Sequence, residues 1–149
     1  MVSLSHLPQA LQGRILVAGA GVSGLSIAKM LSELHCDVVV ADDNETARHM
    51  LIEVVDVADI STAQAQEQLD SFSIVVTSPG WRPTSTLLVD AHRQGLEVIG
   101  DVELAWRLDQ AGVFGEPHTW LAVTGTNGKT TTTSMLAAMM NEGGFTAKA

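Results

Sequence analysis

The chain has 149 residues, 46% of them hydrophobic, and a formal net charge of −9. At roughly 100–200 residues per domain, this accommodates one domain, or one domain and part of a second, with enough apolar material for a core. The acid excess leaves no basic surface for nucleic acid or anionic lipid, no apolar run approaches the ~20 residues of a membrane helix, and the single cysteine, Cys36, excludes an internal disulfide.

The opening MVSLSHLPQALQGR lacks the charged and apolar regions of a secretory leader, so the expected compartment is the cytoplasm. The first predicted strand is RILVAG, Arg14 to Gly19. From Leu25 to Leu34 the apolar residues Leu25, Ile27, Ala28, Leu31 and Leu34 recur at helical spacing. DVVVAD, Asp37 to Asp42, predicts a second strand, Glu45 to Leu51 a short helix, and IEVVDV, Ile52 to Val57, a weaker strand. A helical turn or two over Thr62 to Leu69 precedes a strong strand, SIVVTS, Ser73 to Ser78, cut off by Pro79-Gly80. Thr86 to Gln94 reads as a helix stopped by Gly95, LEVIG as a strand, and Val102 to Leu108 as a helix.

The Gly- and Pro-bearing stretch 109–118 then reads as a linker. WLAVTG, Trp120 to Gly125, predicts one more strand, and Lys129 to Asn141 a helix halted by Gly143-Gly144, with Met135, Leu136, Met139 and Met140 assigned to a core. Continuous apolar strands alternating with helices predict an α/β fold, a Rossmann-like doubly wound parallel sheet, over 1–108. Residues 119–149 supply only one strand, a loop and a helix, which cannot cover a parallel sheet alone. They are expected to open a second, truncated ATPase domain.

Two loops carry chemistry. GAGVSG, Gly19 to Gly24, fits G-x-G-x-x-G between strand and helix, where glycines let a pyrophosphate approach the backbone and the helix N-terminus offers free N–H groups. Asp42, at the end of the second strand, stands where a carboxylate reaches a ribose hydroxyl or a base N–H. The alternative is a glycine turn that serves only tight packing. TSPG, Thr77 to Gly80, ends a strand on the side where open α/β sheets bind ligands. Ser78 can donate there, although an ordinary Pro-Gly turn has the same sequence.

The second loop is TGTNGKTT. Gly128-Lys129-Thr130 match the end of a phosphate-binding loop, but Val123 stands at the first glycine position and Gly125 gives a shorter turn. Backbone N–H groups of Thr126 to Thr130 can form a nest for phosphate oxygens. Lys129 can neutralise the β and γ phosphates, and the Thr130 hydroxyl can ligate Mg²⁺. The alternative is a polar helix start with a chance lysine. The histidines His6, His35, His49, His92 and His118 show no ligand spacing. Asp101 and Glu103 suit a helix start, and Trp81 is assigned to loop packing, with a place in the wall of the ligand cleft as the alternative.

TGTNGKTT resembles the ATP loop of the Mur ligases, the ATP-dependent ligases that build the peptide of peptidoglycan. The strings GAGVSGLSIA, VVTSPG and VIGDVELAWR are similar to landmarks of the members that add D-glutamate, in the same order, and the resemblance covers nearly the whole chain. It implies that the first domain holds the UDP part of UDP-N-acetylmuramoyl-L-alanine rather than NAD. Val22 and Ser23 would touch the nucleotide, Asp42 the uracil or ribose, and Ser78, Pro79 and Gly80 the UDP-sugar. Gly125, Thr126, Asn127, Gly128, Lys129, Thr130 and Thr131 would hold ATP, with Thr130 on Mg²⁺. Where family members often carry a basic residue stacked on uracil, this chain has Asn44.

The implied reaction phosphorylates the alanine carboxylate and lets the D-glutamate amine displace phosphate, in a monomer without nucleic-acid or membrane partners. The remaining machinery is expected beyond position 149, and this chain alone is expected to be inactive as a ligase. Two rival readings stay open: an NAD-binding domain of a dehydrogenase or regulatory protein, and a non-catalytic nucleotide-binding module.

Overall fold

A computed structural model describes residues 7–149. His6 and the rest of the first six residues of the opening lie outside the described residues. Two compact units divide the chain, Met1–Pro117 and His118–Ala149.

The first unit is built on five parallel strands: β1 (Ile15–Ala18), β2 (Val38–Ala41), β3 (Ala58–Ile60), β4 (Ile74–Thr77) and β5 (Glu97–Gly100), in the order β3-β2-β1-β4-β5. The helices between them are α1 (Val22–Glu33), α2 (Glu45–Ile52), α3 (Thr62–Glu67) and α4 (Thr86–Arg93), and α5 (Asp101–Gln110) follows β5. The central strands are apolar except for Thr77 at the end of β4, because both faces of the sheet are covered.

Alternation along each strand divides the core in two. Ile15, Val17, Val38, Val40, Ile74 and Val76 face Ile27 and Leu31 of α1, Leu51 of α2, and Leu104 and Leu108 of α5. Leu16, Val39, Ala41 and Val75 face Ala65 of α3 and Leu87, Leu88 and Ala91 of α4.

The helix ends follow local chemistry. Asn44 caps α2, accepting from Ala47 N–H at 3.1 Å, and Ser61 with Gln64 forms a reciprocal capping box on α3. The turns after α1 and α4 share one geometry: Cys36 N–H donates to Leu31 and Leu96 N–H to Ala91, both at 3.0 Å. The left-handed residue is Gly95 (φ 82°) after α4, as its composition predicts, but His35 (φ 60°) after α1.

The sequence reading is corrected at four places. The strand expected over Ile52–Val57 does not form: Ile52 ends α2, Val55 turns into the core, and pairing with β2 selects Ala58–Ile60 through the partners Val39 and Ala58. Helix α5 begins at Asp101 and continues to Gln110, and Val113 packs in the first core, so residues expected in a linker belong to the first unit. No strand forms over Trp120–Gly125. A strand exists only through its ladder partners, and among the described residues none pairs with this segment. Within the second unit, α6 (Lys129–Glu142) has no buried residue, so Met135 and Met139 are exposed instead of forming the expected core.

The α6 helix does end at Gly143-Gly144, where Phe145 N–H donates to Met140 at 3.0 Å. No helix among the described residues is long and apolar enough to cross a membrane.

Candidate functional site

Strand order reverses between β1 and β4, since the chain leaves β1 toward β2 and β3 and returns on the other side with β4. At such a point the loops leaving adjacent strands diverge and open a crevice at their carboxyl ends. Residues 19–24, 42–44 and 78–81, following β1, β2 and β4, surround it.

The glycines in the first loop have separate tasks. Gly19 (φ 109°) has no room for a side chain: a Cβ would lie 2.4 Å from Ser78 Oγ and 2.9 Å from Trp81 Nε1. Gly24 packs α1 against the strand end, where a Cβ would sit 1.8 Å from the Gly19 carbonyl oxygen. Gly21, the N-cap of α1, borders open space on its Cβ side and leaves the helix start without a side-chain cap. Val22 and Ser23 form the first turn, and Val22 is 86% exposed. An uncapped helix start beside an open glycine leaves backbone N–H groups available to an oxyanion.

Asp42 ties two loops together. One carboxylate oxygen accepts from Ala20 N–H at 2.8 Å and the other from Asn44 N–H at 2.9 Å. Arg48 donates to the Asp42 carbonyl and pairs with Asp59 at 2.9 Å, anchoring the loop from below. A carboxylate has about four acceptor positions, so Asp42 retains capacity toward a ligand while holding the Gly19–Ala20 turn. The Asn44 side chain is engaged as the α2 cap, a structural task at the position where the family resemblance leads one to expect a base-stacking cation.

Ser78 N–H donates to Ala18 at 3.1 Å, extending the ladder of β1 by one bond, and Trp81 N–H turns back to Ser78 at 3.2 Å. Pro79 and Gly80 between them are exposed. Trp81 packs against the second core face and also lines the groove that follows, so both readings of it have a counterpart in the structure. Beyond Gly80 a groove of about 340 Å³ runs along Trp81, Arg82, Thr84 and Ser85.

In the second unit, Gly125 (φ 154°) and Gly128 (φ 75°) shape the turn that enters α6. Gly128 is the N-cap, no side chain caps the helix, and Lys129 Nζ reaches back over the loop to the Gly125 carbonyl at 2.7 Å. Thr126, Asn127, Thr130 and Thr131 are all exposed around it. Open backbone donors, a lysine spanning the turn and a free first-turn threonine suit a nucleotide phosphate. Among the described residues no three His, Cys, Asp or Glu side chains gather to hold a metal ion, so Thr130 is the only ligand the sequence reading names in this chain.

Burial pushes the half-buried Cys36 thiol up, which favours its protonated form. The sequence did not signal the double role of Asp42, which arises from a contact across 22 positions, or the Arg82–Ser85 groove. Asn44 directly before an acidic helix start was legible as a cap.

Residues 13–100 match the family described as Mur ligase MurD-like, N-terminal domain. Among similar proteins, the UDP-N-acetylmuramoylalanine–D-glutamate ligase of Corynebacterium efficiens is 70% identical over 148 residues, covering 99% of this chain and 31% of that protein. The ligase of the same name from Corynebacterium diphtheriae is 54% identical over 144 residues, 96% of this chain and 30% of that protein. The chain thus spans about three-tenths of the length of these curated relatives. The dipicolinate synthase polypeptide of Bacillus halodurans has a similar fold at TM-score 0.52 and 14% identity, over 93% of this chain and 49% of that one. Glutamyl-tRNA reductase from Methanopyrus kandleri does so at TM-score 0.51 and 18% identity, over 70% of this chain and 33% of that one.

Proposed function

This chain belongs to the MurD-like Mur ligase family, and from that premise we propose that it is the nucleotide-sugar-binding portion of an ATP-dependent ligase that adds D-glutamate to UDP-N-acetylmuramoyl-L-alanine. The observation that carries the reading is the crevice at the β1–β4 reversal, built within a segment that is 70% identical to a protein named as that ligase. Each residue has a physical task in it. The uncapped start of α1, at Val22 and Ser23, receives the diphosphate. Asp42 accepts from the uracil or ribose while it holds the glycine turn. Ser78, Pro79 and Gly80 line the path of the sugar.

In the second unit the backbone of Gly125 to Thr131 cradles ATP, Lys129 shifts from the Gly125 carbonyl to the phosphates, and Thr130 offers its hydroxyl to Mg²⁺. ATP is the co-substrate whose phosphoryl group activates the alanine carboxylate, from which the D-glutamate amine displaces phosphate. Lys129 serves by holding positive charge where negative charge accumulates. The working form is a cytoplasmic monomer without nucleic-acid partners. The NAD reading of the glycine loop rests on a fold shared at 14% and 18% identity, and a fold at that distance names no ligand.

Thermal unfolding in the presence of UDP-N-acetylmuramoyl-L-alanine, NAD or Mg-ATP tests the proposal. A ligand at 100 times its Kd adds about 2.7 kcal/mol. The UDP-sugar and Mg-ATP are each expected to raise the midpoint and NAD to leave it unchanged. Stabilisation by NAD alone overturns the assignment.

A further inference from the structure

The groove past Gly80 is lined by Gly80, Trp81, Arg82, Thr84 and Ser85. In a chain of net charge −9 its lining holds no carboxylate, and every side-chain polar group on it can donate a hydrogen bond. Among the described residues Arg82 enters no ion pair.

The start of α4 opens onto the same wall. Ser85 is its N-cap residue, but the hydroxyl makes no cap bond, and Ser85 Oγ is buried without any hydrogen-bond partner. Leaving a buried hydroxyl unmet is costly, and serine at this position ordinarily satisfies its own helix. Here both the hydroxyl and the first-turn N–H groups of α4 lack that bond. The loop is held in place by Ser85 N–H to the Arg82 carbonyl at 2.9 Å and Trp81 N–H to Ser78 at 3.2 Å. Trp81 also borders Gly19, so the groove adjoins the glycine turn.

We propose that this groove is a second oxyanion subsite, in which Arg82, the Ser85 hydroxyl and the start of α4 hold an anionic group of the UDP-sugar. The inference rests on the ligand proposed above and extends it to residues outside the glycine loop and Ser78–Gly80. The oxyanion has two possible sources, the diphosphate and the terminal alanine carboxylate. The arginine supplies charge, the helix start supplies oriented dipoles, and rotation of the partly buried Ser85 side chain toward the groove gives its hydroxyl the partner it lacks.

Calorimetric titration of the whole chain with uridine, UDP and UDP-N-acetylmuramoyl-L-alanine tests this in wild type, Arg82→Met and Ser85→Ala. Arg82 is exposed and Ser85 Oγ makes no bond in the free protein, so Arg82→Met is expected to unfold at the wild-type midpoint and Ser85→Ala at or above it. Arg82→Met is expected to weaken the anionic ligand by about tenfold or more and Ser85→Ala by about threefold, as for loss of a charged and a neutral hydrogen bond, with uridine unaffected in both. Losses shared by UDP and the UDP-sugar assign the diphosphate. Losses confined to the UDP-sugar assign the carboxylate. Wild-type affinity for all three ligands in either variant overturns the subsite, as does a parallel loss of uridine binding. If wild type binds neither UDP nor the UDP-sugar, the ligand assignment falls and the subsite with it.

Discussion

Replacing Gly24 with alanine separates packing from ligand binding within one loop. The added Cβ would stand 1.8 Å from the Gly19 carbonyl oxygen and 2.8 Å from its carbon, both backbone atoms that cannot rotate aside. Ordinary contact begins near 3.4 Å, so α1 must withdraw by about 1.6 Å or the Gly19 turn must deform. Either movement disturbs Ile27, Ala28 and Leu31, which α1 buries in the core. Overpacking a core costs about 1–3 kcal/mol, and a clash between two backbone segments belongs at the upper end. A loss of about 3 kcal/mol lowers the midpoint of a chain this size by roughly 10 °C.

Gly21 provides the contrast. A Cβ there meets nothing within 4 Å, and the backbone (φ −73°, ψ −167°) already suits an N-cap serine. Gly21→Ser is therefore expected to keep or raise the midpoint, while its hydroxyl competes for the N–H groups offered to a phosphate. Circular-dichroism melts of both variants, with and without UDP, test the contrast. A Gly24→Ala protein melting within about 2 °C of wild type would refute the close-packing argument.

Asp42→Ala is expected to cost about 1–3 kcal/mol without any ligand, because it strands the buried Ala20 N–H along with that of Asn44. Urea unfolding measures the loss, and wild-type stability would mean the carboxylate serves ligand alone. The Arg107 guanidinium holds the Glu97 carboxyl below the usual carboxylate range, chiefly by hydrogen bonding. A depressed folded value contributes stability above the unfolded value and loses it as pH falls through the folded one. The stability gap between wild type and Glu97→Gln should be flat near neutrality and close under acid, with a size of at most about 1 kcal/mol for so exposed a pair. A gap that widened on acidification would contradict the assignment.

Strands β1, β2 and β4 were legible because burial on both faces forces unbroken apolar runs, four residues long in β1 and β2 and three in β4, short and rich in β-branched side chains as strands are. Strand β3 was not. Its sequence Ala-Asp-Ile is less apolar than the neighbouring Ile52–Val57, and only pairing with β2 decides between them. The same dependence on distant partners leaves Trp120–Gly125 without a strand. At the site, the glycine pattern revealed the turn because each glycine answers a local steric demand. The clamp by Asp42 and the unmet Ser85 hydroxyl are products of assembly, and no window of sequence contains them.

Both open margins of the sheet carry a carboxylate gripped by an arginine from the adjoining helix: Asp59 on β3 by Arg48, and Glu97 on β5 by Arg107. A foreign strand laid along either margin would have to run beside these ion pairs, which disfavours growth of the sheet by addition. The stretches best suited to fibril formation, Val38–Ala41 and Ile74–Thr77, lie inside those guarded margins. Loss of Arg48 would leave the Asp59 carboxylate charged and unpaired at its margin and release the Asp42 carbonyl, so that variant is expected to weaken the fold while the margin stays guarded by charge.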